Sequence, residues 1–352
     1  MSEFLETQDQ FTPELSPIVE QAGDMPIRIT LVNYSRDTII EKELERAKAC
    51  QSYLSPNACT WIHVHGQPKP SILREFGQYF AIHPLALEDI INTGERPKKE
   101  TYDDQIMLIL GLLNKKGTQI INEQVSFILN KQFLVTFHNG ESDPFRAVRR
   151  RLHHPKSALR SRQLDYLLYV LVDVVIDHCF PILDEFEDEI EEVEQQLFSP
   201  SGIDTYQPLY MIKRELVVLR LKLRPQREAL RLLMRDENNI LSEDTKIYLR
   251  DCYDHIVRLT DMLEIYRDMT TNMLDVHLSL VNKKTFMSNE VQRKATVWAV
   301  IFAPMTFITG IYGMNFTHVP EFEFRHGFLF AILGMATLGI ILALIFKRKH
   351  WL

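Results

Sequence analysis

A short motif near the C-terminal end of the chain carries the residues best suited to cation chemistry. It reads Gly310-Ile-Tyr-Gly-Met-Asn-Phe316 and closes a long apolar run. The side-chain carbonyl of Asn315, with backbone carbonyls beside it, can hydrogen-bond the outer waters of Mg²⁺, an ion that sheds its water reluctantly and prefers oxygen ligands. Gly313 and Asn315 could equally end a helix, because both tolerate left-handed backbone geometry. The motif by itself leaves both interpretations open.

Two apolar runs at this end of the chain are long enough to cross a bilayer. Residues 295–312 and 327–346 contain no Asp, Glu, Lys or Arg, and about 20 apolar helical residues span a hydrocarbon core of about 30 Å. A pair of buried core helices is the alternative. Basic residues flank the two runs at 293–294 and 347–349, whereas the loop between them has Arg325 as its one Lys or Arg, beside two glutamates. The positive-inside rule therefore predicts cytoplasmic termini and an external loop at 313–326.

The two runs differ in polarity. The second is plainly apolar, whereas the first contains Pro304 and threonines at 296, 306 and 309, and Asn289 and Gln292 come just before it. Polar side chains in a span usually face a partner helix or water. We therefore expect the first span to line a pore and the second to lie outside it. Because one span cannot enclose a pore, this interpretation requires a cyclic homo-oligomer.

The remainder of the chain divides into a mixed N-terminal part and a helical part. Period-two apolar runs predict strands at 27–33, 60–65, 105–111, 124–129 and 133–137, with helices at 38–53 and 84–92. Helical patterns then cover 164–198 and 206–236. A third begins near Ser242 and meets neither Gly nor Pro before Pro304. Its apolar seam comprises Leu249, Cys252, Ile256, Leu259, Leu263, Tyr266, Met273 and Val276.

These patterns predict an α+β cytosolic domain followed by a long stalk helix and two C-terminal transmembrane helices. In chain order we expect a polar N-terminal extension (1–26), a cytosolic α/β domain (27–142), a long helical hairpin (143–241), the stalk (242–294), the pore-lining span (295–312), the external loop (313–326), the second span (327–346) and a basic cytosolic tail (347–352).

Composition excludes several classes of function. A net charge of −7 argues against a nucleic-acid partner. The four cysteines are widely separated without a CxxC pair, which favours free thiols in a reducing compartment. The acidic N-terminus is no signal peptide. The sequence contains no phosphate-binding glycine loop, GxSxG or HExxH motif, so we do not expect an enzyme.

Several segments together resemble the CorA family of magnesium and cobalt channels. In that family Gly-Met-Asn ends the pore helix, as it does in Pro304-Met-Thr-Phe-Ile-Thr-Gly-Ile-Tyr-Gly-Met-Asn-Phe316. The segment Ile82-His-Pro-Leu-Ala-Leu-Glu-Asp-Ile90, followed by Arg96-Pro97, is similar to the family's cytosolic motif. Further similar segments are 223–228, 253–255, 288–291 and 349–352. The likeness extends from about residue 27 to the end.

The resemblance implies a funnel-shaped homopentamer in the cell (inner or plasma) membrane that conducts Mg²⁺, with Co²⁺ or Ni²⁺ as further cargo. Cytosolic Mg²⁺ bound between neighbouring subunits would hold it closed. The residues assigned by resemblance to the pore and selectivity filter are Asn289, Thr306, Tyr312, Gly313, Met314 and Asn315. The acids assigned to regulatory metal are Glu88, Asp89 and Asp254, with Asp173 or Asp177 as a secondary site, and Asp275 lies near the inner pore mouth.

The gate is the point at which the sequence departs from the family. Large apolar residues commonly form the constriction there, whereas the aligned positions here are Gln292, Ala295 and Ala303, which are polar or small. A narrowing at Met305 or Val291 is the alternative.

Two other functions stay open. His318 and His326 in the external loop are compatible with a zinc transporter of the same superfamily, although Gly-Met-Asn argues against it because the zinc branch usually varies the middle residue. The other is a membrane-anchored metal sensor that does not conduct.

Overall fold

The computed structural model describes residues 27–117, 119–199, 205–314 and 326–351 of the chain. The chain forms two compact units, residues 1–273 and 274–352. The division between the units falls inside one long helix. Asn315, Phe316 and His318 lie outside the described residues, as does the N-terminal extension.

A seven-stranded sheet forms the centre of the first unit, in the order β2-β1-β3-β7-β6-β5-β4. Its strands are β1 (Arg28–Tyr34), β2 (Ile39–Leu44), β3 (Cys59–His65), β4 (Lys98–Tyr102), β5 (Gln105–Lys116), β6 (Gln119–Leu129) and β7 (Phe133–His138). Neighbouring strands are antiparallel except β3 and β7, which run parallel with Trp61 opposite Leu134. The central strands β3 and β7 are buried along nearly their whole length, as expected of strands with both faces covered.

Helices cover both faces of this sheet. The first face packs against α1 (Ala47–Gln51), α2 (Pro70–Phe80) and α3 (Pro84–Ile91), in a core that includes Phe76, Leu87 and Val135. After α4 (Arg146–His153) and a 3₁₀ turn (Ala158–Ser161), α5 (Leu164–Asp177) and α7 (Tyr206–Met234) contact the sheet strands. The helical segment expected to begin at 143 is therefore packed into the same compact unit as the sheet.

Two of the predicted helices were wrong in their extent. The stretch 38–53 contains strand β2 and only the short helix α1. Its Glu and Lys residues match a helical pattern, but pairing with β1 at the sheet edge decides the conformation there. The predicted helix 164–198 is two helices, α5 and α6 (Phe180–Leu197), because Pro181 lies in the first turn of α6 and cannot continue α5.

The long helix α8 (Glu243–Tyr312) has 70 residues and confirms the uninterrupted stalk and first span, with Pro304 inside it. The seam residues from Leu249 to Met273 are buried, whereas Val276 is 38% exposed. Thr270 is buried instead and donates its Oγ1 hydrogen to the backbone oxygen of Tyr266 at 2.9 Å. The seam is therefore correct except at its membrane-proximal end.

Hydropathy and length mark three helical stretches of the described chain as candidate spans. The 18-residue apolar window within Leu164–Leu197 is 56% buried, and α5 lies on the sheet, so this stretch is core. The windows in α8 and in α9 (Gly327–Arg348) are 11% and 0% buried. Apolar surface that the protein leaves uncovered on this scale is suited to lipid or to neighbouring helices.

Three histidine side chains of the neighbouring strands β3 and β7 stack on one another in a row. His63 and His65 of β3 stack at 6.0 Å between ring centroids, and His65 stacks on His138 of β7 at 5.6 Å. Nδ1 of His63 is 2.8 Å from Oγ1 of Thr136, and its Nε2 is 3.6 Å from Oδ1 of Asp143. Burial lowers the pKa of His63 from 6.5 to about 3, against the opposing attraction of Asp143. The fold therefore holds this imidazole neutral.

The neutral state of His63 predicts a pH dependence of stability. The unfolded chain binds a proton at this residue below pH 6.5 and the folded chain only near pH 3, so stability is complete above pH 6.5 and is lost as the pH falls from 6.5 towards 3. Lowering the pH from 7.5 to 5 should remove about 2 kcal/mol of the free energy of unfolding through this group.

Thermal unfolding of the detergent-purified protein between pH 7.5 and 5 measures this effect. We expect a shallower pH dependence in His63→Asn than in the wild type. The exposed histidine variant His154→Gln should keep the wild-type slope. Identical slopes for His63→Asn and the wild type would contradict the prediction.

Candidate metal sites and pore helix

Two acids of α5 and a histidine of α8 form a cluster of metal-ligating side chains. Nδ1 of His255 lies 3.0 Å from Oδ1 of Asp177 and 3.9 Å from Oδ1 of Asp173. One ligand atom from each residue lies within 4.8 Å of the other two, and no other group of three such side chains occurs among the described residues. Asp173 and Asp177 share a face of α5 because they are four residues apart.

The charges of this cluster favour a cation. Burial, and then the neighbouring carboxylate of Asp177, raise the pKa of Asp173. Sγ of Cys252 donates to Oδ1 of Asp173 at 3.7 Å, and burial raises the pKa of Cys252, so it remains a neutral thiol. Carboxylates suit Mg²⁺, whereas an imidazole suits transition metals such as Co²⁺, Ni²⁺ and Zn²⁺. The donor set therefore fits a divalent cation.

The sequence left Asp173 and Asp177 as alternatives, and the fold brings both together. His255 was not singled out as a ligand, although it stands in the Tyr253-Asp-His255 segment. Its contact with Asp177 joins residues 78 positions apart. No local spacing rule could have indicated that contact, because it depends on how α5 packs beside α8.

Asp89 lies apart from this cluster, on α3. Its Oδ2 is 2.8 Å from Nζ of Lys98, the first residue of β4. Burial raises the pKa of Asp89, against the opposing effect of the Lys98 ammonium. Its neighbour Glu88 is exposed, and so is Asp254 on α8. Neither Asp89 nor Asp254 belongs to the three-residue group. Glu88 and Asp254 are therefore accessible at the surface, whereas Asp89 is partly buried and paired with Lys98.

The membrane part of α8 has two different faces. Met305 is half-buried, and its Cε lies against Gly339 of α9, where an added Cβ would displace the end of this flexible side chain. Val297 and Ile301 are buried and precede Met305 at intervals of four, which places all three on one face.

The other residues predicted for the pore are exposed on α8. Asn289, Gln292, Ala295, Ala303 and Thr306 all leave their side chains uncovered. Most of them recur three or four residues apart, on a face away from Met305. The Thr306 hydroxyl donates to the backbone oxygen of Phe302 at 3.0 Å, which satisfies it without a second helix. Among the gate candidates, Met305 contacts α9, whereas Gln292, Ala295, Ala303 and Val291 are exposed.

The end of α8 is described as far as Met314. The backbone N–H of Gly313 donates to the oxygen of Thr309 at 2.9 Å, and that of Met314 donates to Ile311 at 3.1 Å. Tyr312 and Met314 are exposed. At the opposite end of the second unit, Asp275 is exposed and its backbone oxygen accepts from Oγ of Ser279.

Two long apolar helices together with a cluster of metal-ligating side chains are features of the class of membrane proteins that handle divalent cations. The family model for "CorA-like Mg2+ transporter protein" matches residues 56–348. The cobalt/magnesium transport protein CorA of Thermotoga maritima is 36% identical over 326 residues, covering 92% of each chain. The chain belongs to the CorA family of divalent cation transporters.

The chain is also similar to two further proteins of known name or structure. The structure of the CorA magnesium transporter from Methanocaldococcus jannaschii aligns with a TM-score of 0.69 at 24% identity, covering 92% of this chain and 98% of that one. The zinc transport protein ZntB of Photorhabdus laumondii is 22% identical over 266 residues, covering 73% of this chain and 77% of that protein. The similarity to the Methanocaldococcus jannaschii structure confirms that the soluble domain, the long helix and the apolar C-terminal helix form a known fold.

The Asp173–Asp177–His255 cluster combines carboxylate and imidazole ligands. Loss of the imidazole should therefore affect the binding of Co²⁺ and of Mg²⁺ differently. His255→Gln removes the only nitrogen ligand, so Co²⁺ binding should weaken by roughly tenfold, while Mg²⁺ binding changes much less. The visible absorption of Co²⁺ added to the detergent-purified protein reports nitrogen ligation directly.

The matched control is Asp251→Asn, which alters an exposed acid 3.9 Å from Nε2 of His255 but outside the cluster. It should leave the Co²⁺ spectrum unchanged. An unchanged spectrum in His255→Gln would show that the histidine ligates nothing.

Proposed function

We propose that the chain forms a homopentameric Mg²⁺ channel, able to admit Co²⁺ or Ni²⁺, in the cell membrane with both termini in the cytoplasm. The observation that carries the proposal is the division of α8 into two faces. One face packs against α9 through Met305 and Gly339. The other presents exposed small and polar side chains along the span. An uncovered polar face in a span is costly beside lipid and favourable beside water.

Several copies of this face around an axis would enclose an aqueous path. Small residues at Ala295 and Ala303 leave room for an ion that keeps its waters, and side-chain oxygens at Asn289 and Thr306 offer hydrogen bonds to those waters. Asn315, which follows the last residue of the described range 205–314, would form the selectivity ring with Gly313 and Met314. The constriction would fall at Gln292, Ala295 or Ala303, at the cytosolic half of the same face.

Regulation in this proposal comes from cytosolic acids that bind divalent cations. Asp89 and Glu88 of one subunit would face Asp254 of a neighbour, and the Asp173–Asp177–His255 cluster would form the second site. Repeated carboxylates around a symmetric ring repel one another, so bound cations stabilise the closed state and their loss loosens it. Because α8 continues from these acids into the span, movement of the stalk can reach the gate.

The zinc alternative has less support. The relative named for cobalt and magnesium is more similar than the one named for zinc, and the Gly-Met-Asn triplet is intact. Carboxylates outnumber imidazoles in the α5–α8 cluster, which also favours a hard cation.

Asn315→Ala should reduce Mg²⁺ uptake into proteoliposomes at least tenfold, because each subunit loses the carbonyl that holds the hydrated ion (roughly 1.4 kcal/mol or more in total). Asn57→Ala, an exposed asparagine of the cytosolic unit, should leave uptake unchanged. Unchanged uptake in Asn315→Ala would favour the non-conducting sensor. Faster Zn²⁺ than Mg²⁺ flux in the wild type would favour the zinc transporter.

Asp89→Lys should leave the channel conducting at internal Mg²⁺ concentrations that close the wild type. A fixed ammonium replaces a carboxylate and repels the cation that closes the pore. Flux measured as a function of internal Mg²⁺ checks this, with the exposed acid variant Asp37→Lys as the control. Normal closure in Asp89→Lys would remove this residue from the regulatory site.

A further inference from the structure

The carboxylate of Asp89 already has a cationic partner within its own chain. Nζ of Lys98 is 2.8 Å from Oδ2 of Asp89 and 3.4 Å from Oε1 of Glu100, so the ammonium lies between two acids. The side chain of Asp89 is 15% exposed and that of Lys98 is 30% exposed. A pair with this much shielding from water is stronger than a fully solvated one.

We propose that Lys98 is an internal competitor for the divalent cation at Asp89, and that it sets the cation concentration at which the site fills. This inference rests on the proposed regulatory function of Asp89. The ammonium occupies Oδ2 of Asp89, and an ammonium within a few ångströms repels an incoming divalent cation. Binding of the cation to this carboxylate therefore competes with the Lys98 contact, which lowers the affinity.

Glu100 provides the position to which Lys98 moves. It is already within ion-pair distance of the ammonium, so a small change of side-chain torsion transfers the contact. The hydroxyl of Tyr102 donates to Glu100, and the Tyr102 ring stacks on His83 at 4.4 Å. His83 in turn caps α3, since its Nδ1 accepts from the N–H of Leu85 at 3.2 Å. The alternative acceptor is thus anchored to the helix that carries Asp89.

A purely structural role for Lys98 makes the opposite prediction. If the ammonium were needed to orient Asp89, its removal would weaken cation binding. The backbone near Asp89 has independent support, because Nε2 of Gln124 donates to the backbone oxygen of Asp89 at 2.8 Å. The sign of the change in affinity therefore separates competition from positioning.

The test measures protection of the full-length, detergent-purified protein against limited proteolysis as Mg²⁺ is increased. In Lys98→Met the Mg²⁺ concentration that gives half-maximal protection (the half-protecting concentration) should fall by roughly two- to fivefold, the range that a partly exposed ion pair contributes. The matched control is Lys116→Met, which removes a lysine paired at the same 2.8 Å with Glu141, away from the proposed site. Its half-protecting concentration should equal that of the wild type.

A second variant tests the same mechanism in the opposite direction. Glu100→Gln removes the alternative acceptor, so Lys98 stays on Asp89 and the half-protecting Mg²⁺ concentration should rise. This variant keeps the proposal falsifiable if Lys98→Met does not fold. An unchanged or higher requirement for Mg²⁺ in folded Lys98→Met, or an unchanged or lower one in Glu100→Gln, overturns the proposal.

Asp89→Asn distinguishes this failure from failure of the proposed function. If Asp89→Asn leaves protection unchanged, Asp89 binds no regulatory cation and the proposed function loses this site, and the proposal for Lys98 falls with it. If Asp89→Asn weakens protection while Lys98→Met has no effect, the site stands and only the competition is wrong.

Discussion

The rest of the structure depends on the long helix α8, which packs against protein in its first part and exposes apolar surface in its last part. Over its first half α8 buries a seam of residues against the cytosolic unit, from Leu249 to Met273. Over its last turns it exposes apolar and polar side chains that only lipid, a neighbouring subunit or a pore can cover. A backbone without glycine or proline before Pro304 makes this continuity possible, because nothing before that residue removes a hydrogen bond from the helix. The proposed coupling of cytosolic metal to the gate needs that continuity.

The candidate metal-binding acids of the first unit have two different kinds of partner. Asp173 and Asp177 repel each other and lie beside His255, whereas Asp89 is paired with the ammonium of Lys98. The first arrangement leaves several oxygens and one nitrogen open to a cation. The second already contains a cation. The two candidate sites therefore differ in what a metal ion has to displace, and they should respond to different concentrations and to different metals.

Sequence patterns predicted the larger elements well and the short ones poorly. The five predicted strands, the helix α7, the uninterrupted α8 and both spans are present. The helix predicted over 38–53 is wrong for Ile39–Leu44, because pairing with β1 makes this segment strand β2. Apolar α5 is as hydropathic as a span, and its contact with the sheet identifies it as core. Hydropathy reports how apolar a helix is but not what covers it.

The sequence by itself determined the family, the two apolar C-terminal helices and the Gly-Met-Asn motif, because hydropathy and short motifs are local properties of the chain. Only the tertiary structure decided that Asp173, Asp177 and His255 meet, that Lys98 holds Asp89, and that Met305 faces α9. These contacts join residues on different helices and strands. Their partners are chosen by packing between elements, which no spacing along one element can reveal.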